Sequence, residues 1–174
     1  MIDPYSKGKQ PLIMVWAAIN LHVKKSLLVA LERDLDSKGH GYTANSYIKV
    51  LEEGLLPVIE EGDLYQQDNA RIHTARKTME WLEENGIDTI DWPAYSPDLN
   101  PIEHIWAKLK ELVYKLHPEL IEQKQRGGEV PTLLLDALQD GWKALPEDFI
   151  TSCIESVPRR LQAVIDAQGW YTRY

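Results

Sequence analysis

Two hydrophobic periods alternate along this chain, and the changes between them mark out short strands and longer helices. The run LIMVWAAI (12–19) is continuously apolar, β-branched and aromatic, and too short for a helix; it predicts a buried strand. SLLVAL (26–31) follows after NLHVKK and predicts the second arm of a hairpin. After the polar stretch ERDLDSKGHG, Thr43 is placed to cap a helix over 44–60, with Tyr47, Ile48, Leu51, Leu55 and Ile59 on one stripe and Pro57 disturbing its last turn. DLYQQ (63–67) predicts a short strand ending at Asp68. A helix over 74–84 follows, with Ala75, Met79 and Leu82 inward and Asn85-Gly86 as its stop. IDTIDW (87–92) alternates as a further strand.

The Pro-rich loop PAYSPDLNP leads into the most regular segment of the chain. Ile102, Ile105, Trp106, Leu109, Leu112, Val113 and Leu116 keep a 3.6-residue period for four turns. HPELIEQKQRGGEVP (117–131) predicts a polar connection, helical at its start, and helices are expected over 132–144, 146–155 and 158–168. The order strand, strand, helix, strand, helix, strand, helix, then helices predicts an α/β fold, a mixed sheet flanked by helices.

At 174 residues the chain is expected to form one domain over 1–174. No apolar run is long enough to span a membrane, no signal-peptide pattern follows Met1, and the single cysteine, Cys153, excludes an internal disulfide framework and a Cys-rich zinc site. The 27 acidic residues against 19 basic ones give a formal charge of −8, which argues against a module that coats DNA by phosphate neutralisation alone. A carboxylate metal site, whose charge bound cations offset, remains compatible with that balance.

Asp68 falls where a strand meets a loop, where ligand and catalytic groups gather in α/β sheets, although Asp-Asn is also a common turn pair. Asn100, Pro101 and Glu103 form a capping-box arrangement that by itself accounts for Glu103, and Asp98 reads as a turn acid between Pro97 and Leu99. His22, His40, His73, His104 and His117 show no zinc spacing, and His73 reads as a loop or helix-start residue. Hard oxygen ligands without Cys or paired His favour Mg²⁺ or Mn²⁺. No P-loop, dinucleotide fingerprint or Gly-x-Ser-x-Gly elbow is present, so nothing points to a small-molecule cofactor.

Read together, QQDNARIHTA and DWPAYSPDLNPIEHIWAKLK resemble the second and third acidic motifs of the Tc/mariner superfamily of DDE transposases, with 34 residues between Asp68 and Glu103. IMVWAAI is similar to an early strand of that family and SVPRRLQAVIDAQGWYTRY to its C-terminus. The resemblance implies a ribonuclease H-like fold and an Asp-Asp-Glu triad holding two Mg²⁺ or Mn²⁺ ions for in-line displacement at phosphorus on DNA. It implies that Asp68 and Glu103 are metal ligands, and that Asn69, His73, Asp98 and Asn100 support those ligands or shape their loops. It further implies transposon-end DNA as partner and the nucleus as location.

The family's first Asp lies on the first, central strand, upstream of the segment matching IMVWAAI. Asp3, beside Pro4 in a Lys- and Gly-containing stretch, is poor strand material, and Asp34 and Asp36 follow the hairpin. The first acid, the central strand and the N-terminal helix-turn-helix region are therefore expected to be missing, as in an N-terminally truncated transposase. The expectation is a chain inactive alone, whose uncovered strand edges favour instability or a homodimer. The alternative is a domesticated, non-catalytic DNA- or protein-binding domain; another ribonuclease H-type nuclease is disfavoured by SPDLNPIEHIW.

Overall fold

The computed structural model describes residues 13–94, 96–120 and 131–170. The stretch around Asp3, Leu12 of the first predicted strand and 121–130 of the polar connection lie outside the described residues. The chain divides into two compact units. One contains Met14–Ala18 and Lys25–Ser96; the other contains Ile19–Lys24 and the chain from Pro97 onward.

In the first unit the hairpin forms with β1 (Val15–Trp16) antiparallel to β4 (Val29–Ala30), Val15 opposite Ala30 and Trp16 opposite Val29. The predicted single strand over 12–19 is interrupted. The Ala18 backbone N–H donates to Ser26 Oγ (2.8 Å) and its carbonyl accepts from the Ser26 N–H (2.9 Å), so Ala17 and Ala18 leave the ladder. Residues Ile19–Asn20 (β2) then pair with Lys24–Lys25 (β3).

Thr43 caps α1 (Ala44–Val50) in a full capping box with Ser46. The predicted helix to residue 60 is shorter. It widens into a π-helical turn over Leu51–Leu55, where the Leu56 N–H donates to the Leu51 carbonyl (3.0 Å). Pro57, without an N–H and with a ring crowding the carbonyl four residues back, stops it. Gly54 lies in this turn because any Cβ there would collide with the Trp16 ring. Trp16, Val29, Tyr47, Val50, Leu51, Leu55, Leu82 and Ile87 form the core of this unit.

Two parallel segments complete the unit, β5 (Leu64–Tyr65) and β6 (Asp88–Thr89), with Leu64 opposite Asp88 and Tyr65 opposite Thr89. Both are shorter than the sequence predicts. Between them α2 runs Arg76–Glu84, starting two residues late: Ala75 is extended, and the Thr74 N–H and hydroxyl both donate to the Ala70 carbonyl. Leu82 is buried as expected, but Met79 is exposed and Thr78 takes the inner position, its hydroxyl donating to the Ile72 carbonyl at 2.7 Å. Gly86 ends the helix at φ 67, a conformation that suits glycine.

In the second unit α3 spans Pro101–Leu116 as the periodicity predicts, with Ile105, Leu109 and Val113 buried. Leu116, in the last turn, is exposed rather than inward. The helices α4 (Pro131–Lys143), α5 (Glu147–Glu155) and α6 (Val157–Asp166) follow close to the expected bounds. Helix α3 packs on α4 and α5. Gly141 permits the α3–α4 approach, since a Cβ there would come within 2.8 Å of Val113 Cγ2 and 2.9 Å of Leu109 Cδ1. Trp106 stacks on Trp142 at the same contact, ring centroids 5.6 Å apart.

Candidate metal centre

Asp68 follows β5 by three residues, in a loop at the carboxyl end of the parallel β5–β6 ladder. Its Oδ1 accepts the Ala70 backbone N–H (2.9 Å) in an Asx turn, and lies 2.6 Å from His73 Nδ1. The carboxylate is 58% exposed, whereas the His73 side chain is 19% exposed. One oxygen is thereby fixed by the protein while the group as a whole stays open to a ligand.

A polar network stands behind this pair. The His73 ring lies against the Tyr47 ring, centroids 4.1 Å apart. The Tyr47 hydroxyl meets the Tyr65 hydroxyl (2.8 Å) and donates to Gln67 Oε1 (2.9 Å), and Gln67 Nε2 donates to the His73 carbonyl (3.4 Å). Burial pushes the Tyr47 phenol well above its usual range and that of Tyr65 up to about 12; the Asp68 charge acts in the same direction on both. Both phenols therefore stay protonated and available as donors near neutral pH.

Asn69 donates from Nδ2 to the Trp92 carbonyl (2.8 Å). Because β5 and β6 run parallel, this bond joins the loops that leave the same end of the ladder, and it fixes the backbone next to Asp68.

The second unit holds Glu103 in the first turn of α3, half-buried. Asn100 caps the helix through its side chain, which accepts from the Ile102 N–H (3.3 Å), with Pro101 at the first helical position. The other half of the expected capping box differs: the Asn100 N–H donates to the Pro97 carbonyl (3.1 Å), closing the turn that contains Asp98.

Asp98 acts through its backbone. Its carbonyl accepts from Arg160 Nη1 (3.0 Å), and the same nitrogen meets His104 Nε2. Burial and the Arg160 charge lower the His104 pKa, against an opposing pull from Glu103. The sequence reading missed Arg160 and the Tyr47–Tyr65–Gln67 network. A signal for Arg160 existed: it falls in phase with Val157 and Val164 on α6, where an apolar residue would be expected.

The two acids supply hard carboxylate oxygens, which fit Mg²⁺ or Mn²⁺ in kind. Among the described residues no group of three or more His, Cys, Asp or Glu side chains gathers as a metal site, so they fall short in number. Asp34, a topologically misplaced acid by sequence, is accounted for structurally: its carboxylate accepts from Thr43 Oγ1 (2.6 Å) and Asn45 Nδ2 (3.1 Å), which hold its pKa low. No described helix is long and apolar enough to cross a membrane.

Comparisons with known proteins give these motifs a context. Residues 42–125 match the family described as DDE superfamily endonuclease, a span that contains both Asp68 and Glu103. The chain is 37% identical over 132 residues to the transposable element Tcb2 transposase of Caenorhabditis briggsae, covering 74% of this chain and 45% of that one. It is 33% identical over 164 residues to the Tc3 transposase of Caenorhabditis elegans, covering 90% and 44%. The chain thus spans less than half the length of these curated relatives.

Among solved structures, the catalytic domain of Mos1 mariner transposase matches with a TM-score of 0.57 at 19% identity, over 92% of this chain and 82% of that one. Structures of that domain with Raltegravir and Mn or Mg match at 0.59 and 20% identity, over 92% and 84%. The Mos1 Strand Transfer Complex matches at 0.56 and 20% identity, over 98% and 51%. The fold is the ribonuclease H-like one expected from the sequence. By these relationships residues 42–125 match a DDE superfamily endonuclease domain, and Tc1/mariner transposases are homologues of the chain.

Proposed function

We propose that residues 1–174 form one catalytic domain of a Tc1/mariner-type transposase, carrying the second and third metal-binding acids, Asp68 and Glu103, of a DNA strand cleavage and transfer site. The observation that carries this reading is the motif pair itself. An exposed Asp after a strand and a Glu in a helix's first turn, 34 residues apart, fall inside the matched endonuclease span. The Mn and Mg structures of Mos1 support the same ions for this chain.

When bound, the ions would supply the positive charge that activates an attacking water or DNA 3′-hydroxyl and stabilises the leaving oxygen. The chain's own residues orient the ligands. His73 and the Ala70 N–H fix Asp68 Oδ1, Asn69 ties the adjoining loop to Trp92, and Asn100 with the Asp98 turn sets the helix start beneath Glu103.

Residues 1–174 contain no match to the family's first acid, so on this reading the chain alone is inactive. Transposon-end DNA is its partner, a homodimer its assembly and the nucleus its location.

Metal titration and DNA nicking test this. Mn²⁺ binds purified 1–174, Asp68→Asn and Glu103→Gln each weaken it roughly tenfold or more, and terminal-inverted-repeat DNA stays uncut. Binding indifferent to both substitutions would remove the metal assignment, and metal-dependent nicking would remove the inactivity. DNA binding that ignores Mn²⁺ and both acids would favour the domesticated, non-catalytic alternative.

A further inference from the structure

We infer that Arg160 is a positioning residue for the helix start that carries Glu103, setting its backbone from both sides of the Asn100 cap. Arg160 is only 5% exposed, and it sits in the first half of α6, its N–H bonded to the Ser156 carbonyl at 3.0 Å. A guanidinium is removed from water at a cost that its hydrogen bonds must offset, so its contacts identify what it is there to hold. Two of them leave the same nitrogen: Nη1 donates to the Asp98 carbonyl, 62 residues away in sequence, and to His104 Nε2, 56 residues away.

These two acceptors bracket the helix start. Asp98 lies two residues before the Asn100 cap, in the turn closed by the Asn100 N–H to the Pro97 carbonyl. His104 lies in the first turn of α3, immediately after Glu103. The two N–H bonds of one Nη diverge in a fixed plane, so the turn before the cap and the ring after it are held at a set separation, with Glu103 between them in sequence. Arginine only donates, so His104 Nε2 must accept, which places the ring proton on Nδ1. A lysine ammonium, a point charge on a flexible stem, does not reproduce this geometry.

The bracket stands on its own contacts; its consequence for metal binding rests on Glu103 being a ligand. The test uses the full chain, with imidazole ¹⁵N shifts for the His104 tautomer, amide exchange over residues 102–105, and Mn²⁺ titration. Wild type shows the Nδ1–H tautomer. Arg160→Met and Arg160→Lys both lose that signature, exchange about tenfold faster at residues 102–105 while residues 47–51 keep their protection, and bind Mn²⁺ roughly tenfold more weakly.

Full rescue by Arg160→Lys, an unchanged tautomer and exchange pattern in Arg160→Met, or uniform loosening of all helices would overturn the proposal. Should Arg160→Met fail to fold, His104→Ala, a substitution at an exposed side chain, decides the matter: it removes one acceptor and must still speed exchange at residues 102–105. If Glu103→Gln leaves Mn²⁺ binding intact, the metal assignment has failed, and the tautomer and exchange measurements still judge Arg160 separately.

Discussion

Asp68 sits in a loop three residues beyond a two-residue strand, its carboxylate aligned by a histidine, a turn N–H and a tyrosine–glutamine network. Glu103 sits in the first turn of a sixteen-residue helix anchored by Ile105, Leu109 and Val113 and bracketed by a buried arginine. One acid is oriented by hydrogen bonds between side chains, the other by helix packing that fixes the backbone. The two should therefore fail differently: the first through loss of a polar partner or a change of pH, the second through damage to a core.

The largest expected effect falls on the packed side. Ile105, two residues after Glu103, is fully buried, and Ile105→Ala should cost about 2–5 kcal/mol, read from urea unfolding. A cost near zero would mean that packing does not hold this helix. Gly141→Ala is next: its Cβ would press on Val113 and Leu109, and overpacking of this kind costs roughly 1–3 kcal/mol. On the polar side Tyr47→Phe deletes the hydroxyl that meets Tyr65 and Gln67, with an expected loss of about 1–2 kcal/mol. It should also broaden the His73 and Asp68 resonances while leaving those of residues 105–113 unchanged. If the α3 resonances shift equally, the contrast between the two anchors is broken.

The pH response sharpens the same contrast. Tyr65 titrates at about 12 against an ordinary value of 10.0, so the folded state holds its proton more tightly than the unfolded chain does. The stabilisation is fully present below the ordinary value and is lost as pH rises through about 12. Phenolate absorbance should therefore lag behind that of free tyrosine, and the unit containing Tyr65 should loosen in that window. The smallest effect belongs to the surface: breaking the Arg76–Glu80 pair on α2 should change stability by roughly 0.5 kcal/mol or less.

The sequence made legible what local physics determines. Helix α3 was readable because a four-turn stripe, an Asn cap and a first-position proline agree. Thr43 was readable as a cap for the same reason. Strand extents were not, since pairing at Ala18 is decided by the Ser26 hydroxyl eight residues away, which no periodicity encodes. On α2 Thr78 rather than Met79 faces inward, one turn before the buried Leu82, because its hydroxyl finds an acceptor in the Ile72 carbonyl, which periodicity does not encode. In the candidate site the Asn100 cap was legible from local sequence, and motif spacing singled out Asp68 and Glu103 as the proposed ligands. Arg160 and the Tyr47–Gln67 contact were not legible: Arg160 reaches its partners across more than fifty residues of sequence, and Tyr47 reaches Gln67 across twenty.

The assignment of Asp68 and Glu103 as metal ligands held ready by these different anchors is a proposal. It is tested most directly by Mn²⁺ paramagnetic broadening on the ¹⁵N-labelled chain, recorded residue by residue. The expected result is selective loss of signal at Ala70 and at Ile102–His104, abolished at the first by Asp68→Asn and at the second by Glu103→Gln. Broadening that avoids both segments, or that survives both substitutions, would contradict it.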